Sequence, residues 1–582
     1  MLYENQIWFA KSGEEKVSIL PKMANRHGMI AGATGTGKTV TLKVLAESFS
    51  DRGVPVFLAD VKGDLAGMCN PGIETEDMKG RIDRFGLAEA GFNFKSYPTV
   101  FWDVYGEKGL PLRTTISEMG PILLSRILGL NEIQSAILSV IFKIADDEGL
   151  LLIDTKDLRS MLTYVGENSK EFSLQYGNMS SQSLGSIIRS VIALESEGGD
   201  LFFGEPALDI RDWMARDYNG KGNINVLDCQ KLVNNPTMYS TFLLWMLSEL
   251  YETLPEAGDL EAPRIVFFFD EAHMLFDSAS KALLDKIEQI VKLIRSKGVG
   301  VFFITQNPKD IPNGVLSQLG TKIQHALRAY TPAELKSAKA AAESFRENPD
   351  FDTFTTLTEL GIGEALVSVL DEKGVPSIVQ RCNILPPQSQ MGAIDDATRD
   401  SKIKSEMLYV KYVETVDRDS AYEFLNRKAI SDAEEKQRAE EVARLEKQRA
   451  AEEAAALKEA QRQAEAERKA AERAEIAAQK EAERQAIAEQ KAAEKAALAE
   501  QKAAEKAALA AQREEEKKKA AQQRAVKSAG KSVANSVAGT LGREAGKSLG
   551  KSVGGSFGKT LGGNVGASLG RGIIGTLFSI KR

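Results

Sequence analysis

Between Gly28 and Gly53 the chain runs from a short apolar stretch through a glycine-rich loop into an amphipathic segment, and this succession narrows the possible folds more than any other feature. The loop, Gly32-Ala33-Thr34-Gly35-Thr36-Gly37-Lys38-Thr39, fits G-x-x-x-x-G-K-[ST]. Glycines at 32, 35 and 37 let the backbone close round a polyphosphate with its N–H groups pointing inward. Lys38 then reaches the β- and γ-phosphates, and the Thr39 hydroxyl offers a ligand to Mg²⁺. The flanks supply the context such a loop needs. His27 to Ala31 suits a buried strand, while Val40, Leu42, Val44, Leu45 and Phe49 recur at helical spacing before a stop at Gly53. Strand, loop and helix together predict an α/β nucleoside triphosphate site.

At 582 residues the chain is too long for one ordinary domain. Residues 1–390 read as a globular core and 391–430 as a helical connector. From Ser431 to about 524 the composition collapses to Ala, Glu, Lys, Arg and Gln; from 525 to 582 it shifts to Gly, Ser and Lys. The net charge of −7 averages over these unlike parts and identifies no partner. Cys69, Cys229 and Cys382 are too scattered for a disulfide framework, and three histidines with no C-x-x-C pair argue against zinc. The N-terminus lacks the basic start and apolar core of a signal peptide, and no charge-free apolar segment is long enough to span a bilayer. The expected location is the cytoplasm.

A second chemical signal is Arg264–Phe276, RIVFFFDEAHMLF. Ile265 to Phe269 form the uninterrupted apolar run of a parallel strand buried on both faces. Asp270 and Glu271 emerge at its carboxyl end, where open α/β sheets bind ligands. Asp270 suits the Mg²⁺ shell, and Glu271 can orient and deprotonate an attacking water. Val299–Pro308 repeats the pattern, a strand that ends in Thr305 and Gln306; the Gln306 amide can sense the γ-phosphate. Between these strands the spacing predicts a helix over Ser280–Arg295 that delivers Arg295 and Lys297 just before the sensor strand. Arg295 can serve as a solvated helix end facing the helix dipole or as an arginine finger for a neighbouring subunit.

GATGTGKT, the DEAH at Asp270–His273, RSKGVG at Arg295–Gly300 and TQNP at Thr305–Pro308 together resemble the HerA/FtsK division of P-loop motor ATPases, closest to a bacterial branch of HerA-like proteins. Val54–Gly67 (VPVFLADVKGDLAG), Asn223–Leu232 and Gly363–Cys382 are similar to that family's second strand, the strand before its DEAH strand, and its closing hairpin. The resemblance covers roughly residues 5 to 390. It implies a RecA-like core assembled as a homo-hexamer, with ATP and Mg²⁺ between subunits and double-stranded DNA in the pore. By position it assigns Lys38 and Thr39 to phosphate and Mg²⁺, Asp270 and Glu271 to hydrolysis, Gln306 to sensing, and Arg295 to action in trans, with Arg328 a second candidate. HerA proteins of the longer type carry an N-terminal β-barrel that engages a nuclease. Here the loop begins at residue 32, leaving no room for one, so a nuclease partner is not expected.

Residues 111–200 show apolar three- and four-residue spacing with Asn or Asp near the starts, and predict a helical insert in the core. Ser431–Arg524 lacks Pro and Gly and has strong helix propensity. Its eleven-residue repeat, Glu489–Ala499 and Glu500–Ala510, gives an alanine stripe too thin for much burial. A single charged helix held by i,i+4 pairs therefore competes with a weak coiled coil. In the basic tail, apolar residues recur every fourth position with glycines at Gly542, Gly546, Gly550 and Gly554. Disorder competes there with a glycine-zipper helix that self-associates or lies on an anionic membrane or nucleic-acid surface. Two functions follow: a HerA-type motor that translocates or unwinds duplex DNA, or an ATP-regulated platform that remodels proteins and docks on an anionic surface through residues 525–582.

Overall fold

Thirteen strands form one mixed sheet in the computed structural model, which describes residues 1–258, 260–277 and 281–486. They are β1 (Leu2–Tyr3), β2 (Gln6–Ser12), β3 (Glu15–Ile19), β4 (Gly28–Ala31), β5 (Val56–Asp60), β6 (Thr99–Asp103) and β7 (Leu110–Pro111), then β8 (Ile224–Asp228), β9 (Ile265–Phe269), β10 (Val299–Thr305), β11 (Thr321–His325), β12 (Glu364–Ser368) and β13 (Gln380–Ile384). The spatial order is β1-β2-β13-β12-β11-β4-β10-β9-β5-β8-β6-β7, with β3 paired to β2. From β11 to β7 every pairing is parallel; beyond β11 the sheet turns antiparallel through β12, β13 and the N-terminal β2–β3 hairpin. The class is the expected α/β, RecA-like core. A strand lies between the loop strand β4 and the carboxylate strand β9: it is β10, which carries Thr305.

The apolar run of β9 serves both faces because successive side chains alternate. Phe267 and Phe269 enter a core with Phe57, Trp213 and Phe242, while Phe268 packs with Phe49 and Phe302 on the opposite face. The helix Lys38–Asp51 covers the second face. Helices between Ile116 and Leu194, with Pro236–Thr253 and Lys281–Ile294, cover the first. Asn131 and Asp154 each accept a backbone N–H of the first turn and close a capping box, which fixes where two of these helices start.

The chain divides into two units, residues 1–441 and 442–582. The last described helix, Ala421–Ala486, begins ten residues ahead of the compositional change at Ser431, because Ala421 and Leu425 are buried in the core. From 431 to 480 its side chains are exposed, and Glu465–Lys469 forms an i,i+4 ion pair at 2.8 Å. The eleven-residue repeat and the glycine-rich tail lie outside the described residues. Among the described residues no helix is long and apolar enough to cross a membrane.

Candidate nucleotide site

The loop after β4 is held from both sides of its strand. Gly32 N–H donates to Thr305 O (3.2 Å) on β10, and Ala33 N–H to Ala326 O (2.9 Å) just past β11. Three glycines have positive φ: Gly32 at 152°, Gly35 at 77° and Gly37 at 116°. A Cβ on Gly32 would lie 2.5 Å from His325 Cβ, whereas one on Gly35 would meet nothing within 4 Å. Gly32 is thus a packing requirement, and Gly35 faces the open site. The N–H groups of Thr34, Gly35, Gly37 and Lys38 have no partner among the described residues, so they stand ready as donors. His325 supports the loop: its Nδ1–H donates to Glu364 O (2.9 Å) and its Nε2 accepts from Thr41 Oγ1 (2.8 Å). Burial keeps this ring neutral, pulling it down to about 4.

Lys38 is buried, and its Nζ donates to the loop's own carbonyls, Gly32 O at 2.7 Å and Ala33 O at 3.1 Å. Burial pushes the ammonium below its ordinary range, against the pull of Glu271. These carbonyls are neutral acceptors that phosphate oxygens would outcompete, since a bond to an anion is roughly twice as strong.

Asp270 and Glu271 leave the end of β9 in a bent backbone. Glu271 has φ of 46°, and its N–H donates to Asp270 Oδ1 at 2.9 Å. Asp270 is 4% exposed, and burial raises it to about 6, with Lys62 opposing. Glu271 behaves oppositely: burial pushes it up, but Lys62, Gln306 and Lys38 hold it below the usual carboxylate range. The Gln306 Nε2–H donates to Glu271 Oε2 at 3.3 Å. The sheet order explains this contact, because β10 delivers Gln306 between the loop and the carboxylates.

Lys62 has no role assigned from its sequence position, yet its Nζ stands 2.6 Å from Glu271 Oε1 and 4.0 Å from Asp270 Oδ2. Asp60, at the end of β5, accepts from the N–H groups of Gly63 (2.7 Å), Asp64 (3.2 Å) and Leu65 (3.0 Å), shaping the turn that carries this lysine. Burial raises Asp60 to about 7. Gln230 Nε2–H donates to Lys62 O (2.8 Å), and a Cβ on Gly63 would strike that amide at 2.2 Å. The D-x-K-G spacing was the available signal: a strand-end carboxylate closing a tight turn round a lysine.

The expected arginines fall at different ends. Arg295 precedes β10, at the end of the sheet away from the loop. Arg328 follows β11 at the loop end and donates to Thr358 O (2.7 Å) and Leu360 O (3.0 Å).

Residues 5–480 match the model of the Helicase HerA-like C-terminal family. The chain belongs to this family. It is therefore a P-loop ATPase by family, with the loop, carboxylates and glutamine of this HerA-like core placed as described. It is 34% identical over 154 residues to a probable helicase of Methanocaldococcus jannaschii, covering 25% of this chain and 28% of that protein. It is 25% identical over 363 residues to the DNA double-strand break repair helicase HerA of Sulfurisphaera tokodaii, covering 60% of this chain and 64% of that one. The HerA-like chain thus spans less than two thirds of the length of either relative. A solved structure of the plasmid coupling protein TrwB in complex with ADP and Mg²⁺ is similar over 64% of this chain and 88% of its own, with 15% identity and a TM-score of 0.44.

Proposed function

We propose that this HerA-like protein is an ATP-hydrolysing ring motor that moves along or unwinds duplex DNA. The observation that carries the reading is the convergence of Lys38, the Asp270–Glu271 pair and Gln306 at the carboxyl ends of the adjacent strands β4, β9 and β10. The loop N–H groups and Lys38 would take the phosphates. The Thr39 hydroxyl and Asp270 carboxylate are hard oxygen donors of the kind Mg²⁺ prefers, and Mg²⁺ would neutralise charge developing on the phosphates. Glu271, kept ionised by Lys62, would accept a proton from the attacking water, and Gln306 would register the presence of the γ-phosphate. Arg295, or alternatively Arg328, would complete the site of an adjoining subunit in a homo-hexamer.

The DNA half of the reading rests on family membership and is tested by turnover. Mg²⁺-dependent ATP hydrolysis should rise several-fold with duplex DNA, and the purified protein should run at the mass of six copies. Hydrolysis indifferent to DNA at every salt concentration would remove DNA as the track while leaving the ATPase intact.

A further inference from the structure

Four neighbouring strands, in the spatial order β9, β5, β8, β6, bring one side chain each to a row along the carboxyl edge of the sheet. Glu271, Lys62 and Gln230 each stand two residues past the end of their strand, and Lys108 stands five past β6. Each is joined to the next. Lys62 Nζ meets Glu271 Oε1 at 2.6 Å, Gln230 Nε2–H donates to Lys62 O at 2.8 Å, and Lys108 Nζ donates to Gln230 Oε1 at 2.5 Å. The two lysine turns share a design. Asp60 closes the first, and Asp103 closes the second by accepting from the N–H groups of Tyr105 (2.9 Å), Glu107 (2.9 Å) and Lys108 (2.8 Å).

Gln230 sits between these turns, and both ends of its amide are held by groups that can play only one part. A carbonyl accepts and an ammonium donates. The amide nitrogen must therefore face Lys62 and its oxygen must face Lys108, and neither a carboxylate nor an alkyl chain could serve both. Gly63, with φ of 76°, leaves the space this amide fills. The clamp matters because Lys62 has a choice of partners. Its ammonium is a point charge on a flexible stem. Asp64, in the same turn, also attracts it, and Asp64 Oδ1 is buried with no hydrogen-bond partner among the described residues. An ammonium that swung to Asp64 would release Glu271 Oε1.

We propose that Gln230 is a positioning residue for hydrolysis. By clamping the Lys62 carbonyl it directs the ammonium to Glu271 rather than Asp64, and through Lys108 it ties that carboxylate to the loop leading into the helical insert. The inference rests on the reading of Glu271 as the base. Its test is steady-state Mg²⁺-ATP hydrolysis by full-length protein. Gln230→Met keeps the bulk beside Gly63 and removes both bonds. Its kcat should fall about tenfold with KM for ATP within about twofold of wild type, the scale one hydrogen bond supports. Gln230→Glu keeps the acceptor for Lys108 but offers no N–H to Lys62 O, and should show the same split. Lys108→Met frees the other end of the amide without touching the turn after β5, and should lower kcat about two- to threefold. These two variants carry the comparison if Gln230→Met lowers the melting temperature. In a Lys62→Ala background, Gln230→Met should change kcat by less than about twofold, because the glutamine acts through that lysine. An equal loss in both backgrounds would mark a general structural role and overturn the proposal, as would a raised KM at unchanged kcat. A Glu271→Gln protein as active as wild type would remove the base reading and this proposal together. A full Glu271→Gln defect beside an unaffected Gln230→Met protein would overturn the proposal alone.

Discussion

Lys62 Nζ lies 2.6 Å from Glu271 Oε1, joining the turn after β5 to the end of β9 across the candidate nucleotide site. The pair links a carboxylate that is 8% exposed to an ammonium that is 43% exposed, so solvent screens part of the attraction. Removing one partner leaves a buried charge, whereas removing both does not. Lys62→Ala should therefore lower stability, and Lys62→Ala/Glu271→Gln should recover part of the loss. A coupling of about 1–2 kcal/mol in a urea double-mutant cycle is expected. Strict additivity would show that the contact is energetically idle.

His27 sits far from the site's chemistry and gives a test by pH. Its Nε2–H donates to Val291 O (2.9 Å) and its Nδ1 accepts from Val301 N–H (3.1 Å), so the ring is held neutral in one tautomer. Burial lowers it from 6.5 to about 4. Above 6.5 both folded and unfolded forms are neutral and the contribution is complete. As pH falls through 6.5 towards 4 only the unfolded chain takes up the proton, so stability is lost, reaching about 3 kcal/mol near pH 4 and roughly 2 kcal/mol at pH 5. Asp60 and Asp270, raised to about 7 and about 6, act in the opposite direction, so the informative quantity is a difference. Wild-type minus His27→Gln stability, from urea midpoints at pH 7.5 and pH 5, should shrink by about 2 kcal/mol. Parallel pH profiles would contradict the assignment.

Two loop glycines should fail differently. Gly32→Ala drives a methyl group into His325 and strains a backbone with φ of 152°, a packing fault of about 1–3 kcal/mol that differential scanning calorimetry would record as a lower melting temperature. Gly35→Ala adds a methyl group where nothing lies within 4 Å, at φ of 77°. Its folding cost should be about 1 kcal/mol, while its nucleotide affinity should fall more, since the added carbon would occupy the proposed phosphate cradle. Equal melting temperatures for the two variants would dismiss the packing role of Gly32.

Much of this site is written locally. The glycine spacing, the Ile265–Phe269 run before two carboxylates and the Val299–Thr305 run before Gln306 each combine strand and chemistry within a dozen residues, and the sheet brings their ends together. The rest depends on contacts between distant segments. Lys62 meets Glu271 only because β5 lies beside β9, an order that neither strand's sequence encodes. The N-terminal hairpin joins the sheet by pairing Ala10 with Ile384, and no local periodicity announces a partner that far away.

Glu271 offers the sharpest separation of binding from chemistry. It is buried, its carboxylate is held by Lys62 and Gln306, and it borders the loop without bonding to it. Glu271→Gln preserves volume and the capacity to accept from Gln306, but an amide cannot take a proton from water. A general base typically contributes about 10²–10⁴-fold to rate, so kcat should fall by about that factor. Affinity for ATP should stay within a few-fold, because on the proposed reading the phosphates are met by the loop and Lys38. Lys38→Ala should show the reverse order: loss of a charge-assisted bond worth about 1.5–3 kcal/mol weakens ATP binding roughly 10- to 150-fold before any step of chemistry is reached. Isothermal titration with ATP and single-turnover hydrolysis on both variants would check the pair. A Glu271→Gln protein that turns over at near wild-type rate would transfer the base to another residue, with the adjoining Asp270 the candidate.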